Sequence, residues 1–209
     1  MKNVVLFISF LLSAVSAAGQ AVPYAQRLMA ESISAIESMG NYRADFTYTT
    51  GGETEPRKCV LYAQGDKYRL ETDLFTVLSD GKYVYAITDD EKEVSVHDVK
   101  EAGQSMGFAP VQVILKKFSE TFSPRTDRLE GAVQYLRLLP EDANNPTDYI
   151  RVGIDTATKL PVYIEEVSAN GAHTVLKISA ILQGKGTDAA LYRFDDEKYK
   201  KMGYYIARP

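Results

Sequence analysis

The chain has 209 residues, a formal net charge of −4 at pH 7, 45% hydrophobic residues and a single cysteine. This length suits one domain with a sizeable core. The acidic balance and the lack of a basic run argue against nucleic acid as a partner. Because one cysteine cannot form an internal disulfide, we expect Cys59 to be a small buried apolar side chain within a strand.

Residues 1–21 have the pattern of a secretory signal peptide. Lys2 supplies a positive charge, residues 4–12 form an apolar run interrupted only by Ser9, and small residues follow. The apolar run is too short to span a membrane. Cleavage after Ala17 and cleavage after Ala21 both fit; we take Ala21, which leaves residues 22–209 as one soluble exported domain. A retained membrane anchor is the alternative.

The segment from Val22 to Met39 predicts the first helix. Apolar residues recur at three- and four-residue spacing, namely Leu28, Met29, Ile33 and Ile36. Gly40-Asn41 then ends the helix. Its polar face is not basic, so we expect the helix to pack on a sheet and not to lie on a membrane surface.

Alternating and aromatic-rich runs predict strands in both halves of the chain. They span Tyr42 to Tyr48, Lys58 to Ala63, most of Lys67 to Ile87, and Val94 to Val99, then Ala132 to Leu139, Tyr149 to Asp155, Leu160 to Val167, and Ala172 to Leu182. Asp80-Gly81 and Asn170-Gly171 predict hairpin turns. Both faces of the run from Lys58 to Ala63 are apolar, so this strand needs cover on two sides or lines a cavity with one of them.

A second helix is predicted from Val111 to Phe122, after the loop-like residues 100–109. Pro110 suits the first turn of a helix, because its missing N–H costs nothing there. Val111, Ile114, Leu115 and Phe118 share one face, with Gln112, Lys116 and Glu120 opposite. Ser123-Pro124 ends the helix.

The sequence gives no support for catalysis, and we expect neither a cofactor nor a metal. Its two histidines, His97 and His173, are far apart and lie within strand patterns, where a surface or hydrogen-bonded sheet histidine is the usual role. Glu165 and Glu166 are adjacent in a strand and therefore point to opposite faces. No nucleotide-binding loop or activated-serine motif is present. A binding protein is left, and not an enzyme.

The predicted sheet has more apolar surface than two helices can cover. In the first half this surface comprises Tyr42, Phe46, Leu61, Tyr68, Leu70, Phe75, Val77, Tyr83, Tyr85 and Ile87. In the second half it comprises Leu136, Leu138, Ile150, Val152, Val162, Ile164, Leu176 and Ile178. The sheet therefore either closes into a packed barrel or curves around a cavity for an apolar ligand.

The order of several segments resembles the periplasmic lipoprotein carrier family LolA. These segments are YRADFTY from Tyr42, KYRLET from Lys67, LSDGKYVYAI from Leu78, and the unit GIDTATKLPVYIEEVSANGAHTVLKIS from Gly153. Pro110 with Val111 and Ile114 is similar to the family's proline-led helix, and the run from Asp188 to Phe194 is similar to its terminal short helix and strand. The resemblance covers nearly all of residues 22–209.

The resemblance implies a mainly β fold with α-helices: an open, strongly curved antiparallel sheet, or half-barrel, with helices plugging its concave face. It implies a monomeric periplasmic chaperone that takes acylated lipoproteins from an inner-membrane lipoprotein-releasing transporter to an outer-membrane acceptor. The cavity residues that we expect are Tyr42, Phe46, Leu61, Tyr68, Leu70, Phe75, Val77, Tyr83, Tyr85, Val111, Ile114, Leu115 and Phe118. Within this cavity, we expect the second helix to pack against Tyr68 and Tyr85.

Two alternatives to the carrier remain. One is a periplasmic protein of the same half-barrel fold that senses lipids or lipoproteins and regulates a partner; the other is an enzyme of unrecognised type. The family also uses an arginine to regulate opening of the cavity, at a position where this chain has Gln64 or Gly65. Arg43 and Arg69 are either substitutes for that arginine or solvated strand charges.

Overall fold

The computed structural model describes residues 22–51, 53, 55–102 and 109–208, so the predicted signal peptide and its cleavage site lie outside the described residues. The helices are α1 (Tyr24–Glu37), α2 (Val99–Ala102), α3 (Val111–Thr121) and α4 (Asp196–Lys201), with a 3-10 turn at Ala189–Tyr192. None of the described helices has both the length and the apolar composition that a membrane span requires.

Twelve strands make up the rest of the regular structure in the described residues. In chain order they are β1 (Asn41–Thr50), β2 (Arg57–Gln64), β3 (Lys67–Glu71), β4 (Phe75–Ser79), β5 (Tyr83–Thr88), β6 (Glu93–Asp98), β7 (Phe122–Glu130), β8 (Val133–Pro140), β9 (Thr147–Asp155), β10 (Pro161–Ser168), β11 (His173–Gln183) and β12 (Tyr205–Ala207).

The strands form one open sheet in the order β12-β6-β5-β4-β3-β2-β1-β11-β10-β9-β8-β7. Neighbouring strands are antiparallel except β12, which runs parallel to β6. Because β12 and β7 are edge strands that do not meet, the sheet does not close on itself. Of the two architectures that the sequence left open, the curved half-barrel with helices on its concave face is therefore the one present.

The concave face is built from rows of apolar residues that lie opposite one another on neighbouring strands. One such row crosses five strands through Tyr48, Leu176, Ile164, Val152 and Leu136. Residues directly opposite in a ladder lie on the same face, so the row forms a continuous apolar stripe. Together with α1 and α3, these rows form the main core.

The apolar surface predicted for the second half of the sheet is nearly all in this core. Val162 is the exception, because a register shift between Pro161 and Tyr163 leaves it outside the ladder, where it is half-buried. Cys59 is 4% exposed and lies in the same core, as expected for a small apolar residue.

Four elements were not predicted, and the first is the short helix α2, which occupies part of the segment expected to be loop-like. The edge strand β7 has exposed side chains along its last six residues, so it lacks the apolar alternation from which a strand is recognised. Pro124 fits there because an edge strand can lack one backbone donor. The short helix α4 and the edge strand β12 likewise follow from the fold of the C-terminal segment and not from an apolar period.

The face on which Tyr83 and Tyr85 lie differs from the prediction. In the β4–β5 hairpin, Val77 lies opposite Ala86, and Leu78 lies opposite Tyr85. Tyr85 therefore shares a face with Leu78, while Val77 points to the other side, since side chains alternate along a strand. The expectation that Tyr83 and Tyr85 join Phe75 and Val77 on the concave face is wrong.

The convex face of β4 to β6 carries a second core. It consists of Leu78, Tyr85, Ile87, Val94, Val96 and Tyr204, with Tyr83, Phe194, Tyr199 and Ile206 packed against it. The C-terminal segment thus covers the sheet from outside. β2 is covered there as well, because the backbone at Gly186, with φ +79°, lies close against Tyr62 of this strand. A Cβ added at Gly186 would be only 2.8 Å from Tyr192 Oη and 3.2 Å from the ring of Tyr62. Of the two possibilities left open for β2, cover on both sides is the one present in the structure.

Candidate functional site

The candidate site is the concave face of the sheet beneath α1 and α3. The two helices contact each other and the edge strand β7. Their buried residues are Ala25, Leu28, Met29, Ser32, Ile33 and Ile36 in α1, and Val111, Ile114, Leu115 and Phe118 in α3. The predicted apolar face of α3 therefore does turn towards the core. In this closed arrangement the helices shield the apolar stripe of the sheet from water.

A hydrogen-bonded tyrosine fastens the first turn of α3 to the sheet. The hydroxyl of Tyr42, on β1, accepts a hydrogen bond from the backbone N–H of Val111 at 2.9 Å and donates one to Gln112 Oε1 at 2.6 Å. The first N–H groups of a helix have no partner within the helix, so Tyr42 satisfies a donor that would otherwise be buried without one. Burial raises the pKa of Tyr42 above its ordinary value, so the phenol stays neutral and keeps its proton to donate.

Two ion pairs at the solvent side add to the attachment of the helices. Lys116 on α3 pairs with Glu37 on α1, and Lys159 pairs with Glu31 of α1 at 3.4 Å. All four side chains are between a third and a half exposed, so each pair contributes little, at most about 1 kcal/mol. Apolar packing and the Tyr42 hydroxyl therefore account for most of the attachment.

One polar atom inside the closed site has no partner. The hydroxyl of Ser32 is buried on the inner face of α1 and makes no hydrogen bond to any described residue. Leaving a buried hydroxyl unpaired costs about 1–3 kcal/mol. The closed arrangement of α1 on the sheet is thus less stable than its apolar contacts alone would make it.

Eleven of the thirteen predicted cavity residues meet on the concave face. Ten of them belong to the main core, namely Tyr42, Phe46, Leu61, Tyr68, Leu70, Val77, Val111, Ile114, Leu115 and Phe118, and Phe75 packs against it. Tyr83 and Tyr85 are in the convex core instead. The Tyr85 hydroxyl donates to Asp80 Oδ2 at 3.1 Å, and its ring stacks on Phe194 at 4.3 Å. The expectation that α3 packs against Tyr85 is therefore wrong.

Sequence reasoning also left residues out of the site. The buried face of α1 was predicted to pack on a sheet, but its helical spacing did not show that the same face would line the site. Gln112 was placed on the polar side of α3 because it is polar, and nothing in the sequence pairs it with a tyrosine 70 positions earlier. Cys59 shares the concave face, where burial raises the pKa of its thiol to about 11.

Arg43 and Arg69 lie on the outer surface of the sheet and not on its concave face. Each pairs with a carboxylate two residues along its own strand: Arg43 with Asp45 at 2.8 Å, and Arg69 with Glu71 at 2.6 Å. Both arginines alternate with core residues of the concave face and so point outwards. Their positions match the interpretation of both arginines as solvated strand charges.

The titratable residues of the described chain do not assemble into a metal centre. Its His, Cys, Asp and Glu residues form no group of three or more that could hold an ion. His97 is exposed, and His173 Nδ1 lies 3.2 Å from Glu165 Oε1 on the outer face, where Glu165 also pairs with Arg151. The histidines are thus a surface and a hydrogen-bonded sheet residue, as predicted.

Neither a protein-family model nor a curated protein matches the sequence. Among solved structures, the chain is similar to an uncharacterized conserved protein from Thermus thermophilus, with a TM-score of 0.60 and 12% identity over 90% of this chain and 100% of that one. At this identity the likeness shows a shared fold alone.

The chain is more weakly similar to a LolA superfamily protein from Nitrosomonas europaea, with a TM-score of 0.45 and 11% identity over 84% of this chain and 99% of that one. It is also similar to a putative outer membrane lipoprotein-sorting protein domain from Vibrio parahaemolyticus, with a TM-score of 0.47 and 12% identity over 86% of this chain and 97% of that one. The architecture itself is the one that the sequence resemblance implied. It is an open, curved antiparallel half-barrel with helices on its concave face.

Proposed function

We propose that this protein is a periplasmic carrier that binds the acyl chains of lipoproteins between α3 and the concave face of the sheet. It receives them from an inner-membrane lipoprotein-releasing transporter and delivers them to an outer-membrane acceptor. One observation carries the proposal: a wide, open, apolar sheet face is covered by two short helices and not by a second sheet. Such a cover can be displaced while the strands keep one another in place.

The free energy gained by burying the α3 face in the empty state is similar to that gained by burying an acyl chain in the loaded state. Burying the four apolar side chains of α3, which are Val111, Ile114, Leu115 and Phe118, stabilises the closed state by roughly 6–12 kcal/mol. Each buried CH₂ of an acyl chain is worth about 0.8 kcal/mol, so a chain of about 16 carbons gains roughly 12 kcal/mol. An acyl chain can therefore take the place of the α3 face, and α3 can in turn expel it, as a reversible carrier needs.

The attachment of α3 makes it the movable cover. Its first turn is held by the Tyr42 hydroxyl, its exposed side by the ion pair of Lys116 with Glu37, and its end continues at Phe122 into the edge strand β7. Displacing it breaks no strand pairing.

Depleting the protein in its own host tests the carrier function. We expect lipoproteins destined for the outer membrane to accumulate in the inner membrane, as measured by fractionation of the two membranes. Normal sorting after depletion would contradict the carrier and leave the regulatory protein of the same fold as the better account.

A further inference from the structure

A second concave feature lies on the opposite side of the sheet from the candidate site. It is a cavity of about 200 Å³ between the outer surface of β3 and β4 and the C-terminal segment. Leu78 lies at its sheet side, and Phe194 and Tyr199 contribute two parallel rings with centroids 5.0 Å apart. We call this feature the outer cavity. It shares no lining residue with the concave face.

The outer cavity is positively charged. Arg69, Arg193 and Lys198 line it, against one carboxylate, that of Asp195. The carboxylate is engaged, since Asp195 Oδ1 accepts a hydrogen bond from the backbone N–H of Lys198 at 3.0 Å. This excess of cations stands out in a chain whose net charge is −4.

Two of the three cations are available to a ligand. Arg69 pairs with Glu71 at 2.6 Å, whereas within the described part of the chain neither Arg193 nor Lys198 has an ion-pair partner. Like charges that line one cavity repel one another, and an anion in the cavity relieves that repulsion. Guanidinium groups bind phosphate oxygens through two parallel hydrogen bonds, and a lysine adds a point charge.

We propose that the outer cavity binds the phosphate group of a phosphate ester. The cations take the phosphate oxygens, and the rings of Phe194 and Tyr199 pack against the carbon atoms of the esterified group. Two sources present this chemistry: a small soluble phosphate ester and the headgroup of an anionic phospholipid. The site is independent of the acyl-binding proposal, because α1 and α3 take no part in it.

The test measures binding of glycerol 3-phosphate to residues 22–209 by titration calorimetry at fixed ionic strength. Vesicles of phosphatidylglycerol, with phosphatidylcholine vesicles as their neutral counterpart, form the second arm. The variants are Arg193→Gln and Lys198→Gln, and the control is the double variant Lys200→Gln and Lys201→Gln, which removes two charges of α4 that do not line the cavity. Far-ultraviolet circular dichroism checks that each variant is folded.

We expect saturable binding in one arm, weakened at least tenfold by either cavity variant and changed less than twofold by the control. Response to the soluble ester identifies a free phosphate ester as the ligand class, and response to phosphatidylglycerol vesicles alone identifies a lipid headgroup. Absence of binding in both arms overturns the proposal. An equal loss in the control variant also overturns it, because general charge attraction would then explain the binding.

Discussion

The hydroxyl of Tyr42 lies 2.6 Å from Gln112 Oε1 and links the middle of the sheet to the first turn of α3 across 70 positions of sequence. The same hydroxyl accepts a hydrogen bond from the backbone N–H of Val111. The Tyr42 side chain therefore adds two hydrogen bonds to the apolar packing that holds the first turn of α3 on the concave face. Small substitutions at these residues can therefore measure how stable the closed state is.

Replacing Tyr42 with phenylalanine should favour opening of α3. The change removes one hydroxyl and leaves the Val111 N–H buried without an acceptor, at a cost of about 1–3 kcal/mol to the closed state. Cys59 reports the opening, since it is the only cysteine and is buried on the concave face. We expect its alkylation by iodoacetamide under native conditions to become about tenfold faster, which corresponds to about 1.4 kcal/mol.

The matched control for this experiment is Tyr62→Phe. Tyr62 lies on the outer face of the neighbouring strand, opposite Arg43, and its hydroxyl makes no hydrogen bond to a described residue. Its removal should leave the alkylation rate of Cys59 unchanged. Equal rates in wild type and Tyr42→Phe would show that Tyr42 does not hold the cover closed.

Replacing Ser32 with alanine should stabilise the empty protein. The substitution removes a buried hydroxyl that has no partner among the described residues, so we expect the free energy of unfolding to rise by about 1 kcal/mol in urea denaturation. Ser34→Ala, on the exposed face of the same helix, measures the gain that alanine brings through helix propensity alone, about 0.5 kcal/mol or less. If the two variants gain equally, the Ser32 hydroxyl does not destabilise the closed state.

Asp80 should make stability depend on pH through the β4–β5 turn. Partial burial raises the pKa of its carboxyl, but hydrogen bonds from the N–H groups of Tyr83 and Lys82 and from the Tyr85 hydroxyl outweigh that effect, so the pKa is below its ordinary value. Such a group stabilises the fold above its unfolded pKa, near 3.9, and this stabilisation is lost as pH falls through the lower folded pKa.

The Asp80→Asn variant should therefore unfold at lower urea concentration than wild type at pH 7. The difference should shrink as pH falls below the unfolded pKa, near 3.9, and through the lower folded pKa, where wild type also loses the charge. Asp66→Asn, at a neighbouring exposed turn, serves as the control and should unfold at nearly the same urea concentration as wild type at pH 7. A difference that stays constant over this range would mean that the charge of Asp80 has no part in the stability of the turn.

The elements with strong apolar periods could be predicted from sequence. The predicted spans of α1, α3 and the predicted strands in both halves of the chain agree with the structure to within a few residues. Their apolar residues recur at helical or strand spacing, which the sequence shows directly. β7 could not be found this way, since an exposed edge strand buries little on either face. The same holds for the short α4 and β12, which depend on packing against the convex face of distant strands.

The candidate site was predicted less completely for a different reason. The face of Tyr83 and Tyr85 depends on the pairing register across the Asp80 turn, which places Leu78 opposite Tyr85. Both faces of β5 are apolar, so the sequence pattern alone did not decide which face turns inwards. The hydrogen bond from Tyr42 to Gln112 joins two polar groups whose meeting depends on how α3 crosses the sheet. Local sequence rules do not predict how α3 crosses the sheet.

The central claim is that acyl chains bind between α3 and the concave face, and a titration with a fluorescent triacylated lipopeptide tests it most directly. Ile114 on the inner face of α3 is 6% exposed, and the adjacent Val113 is 42% exposed. Placing a carboxylate at position 114 sets a charge against the apolar site, whereas at position 113 the charge stays in water. We predict saturable binding by wild type and by Val113→Asp, and binding at least tenfold weaker by Ile114→Asp. No saturable binding by wild type, or equal binding by both aspartate variants, would contradict the account.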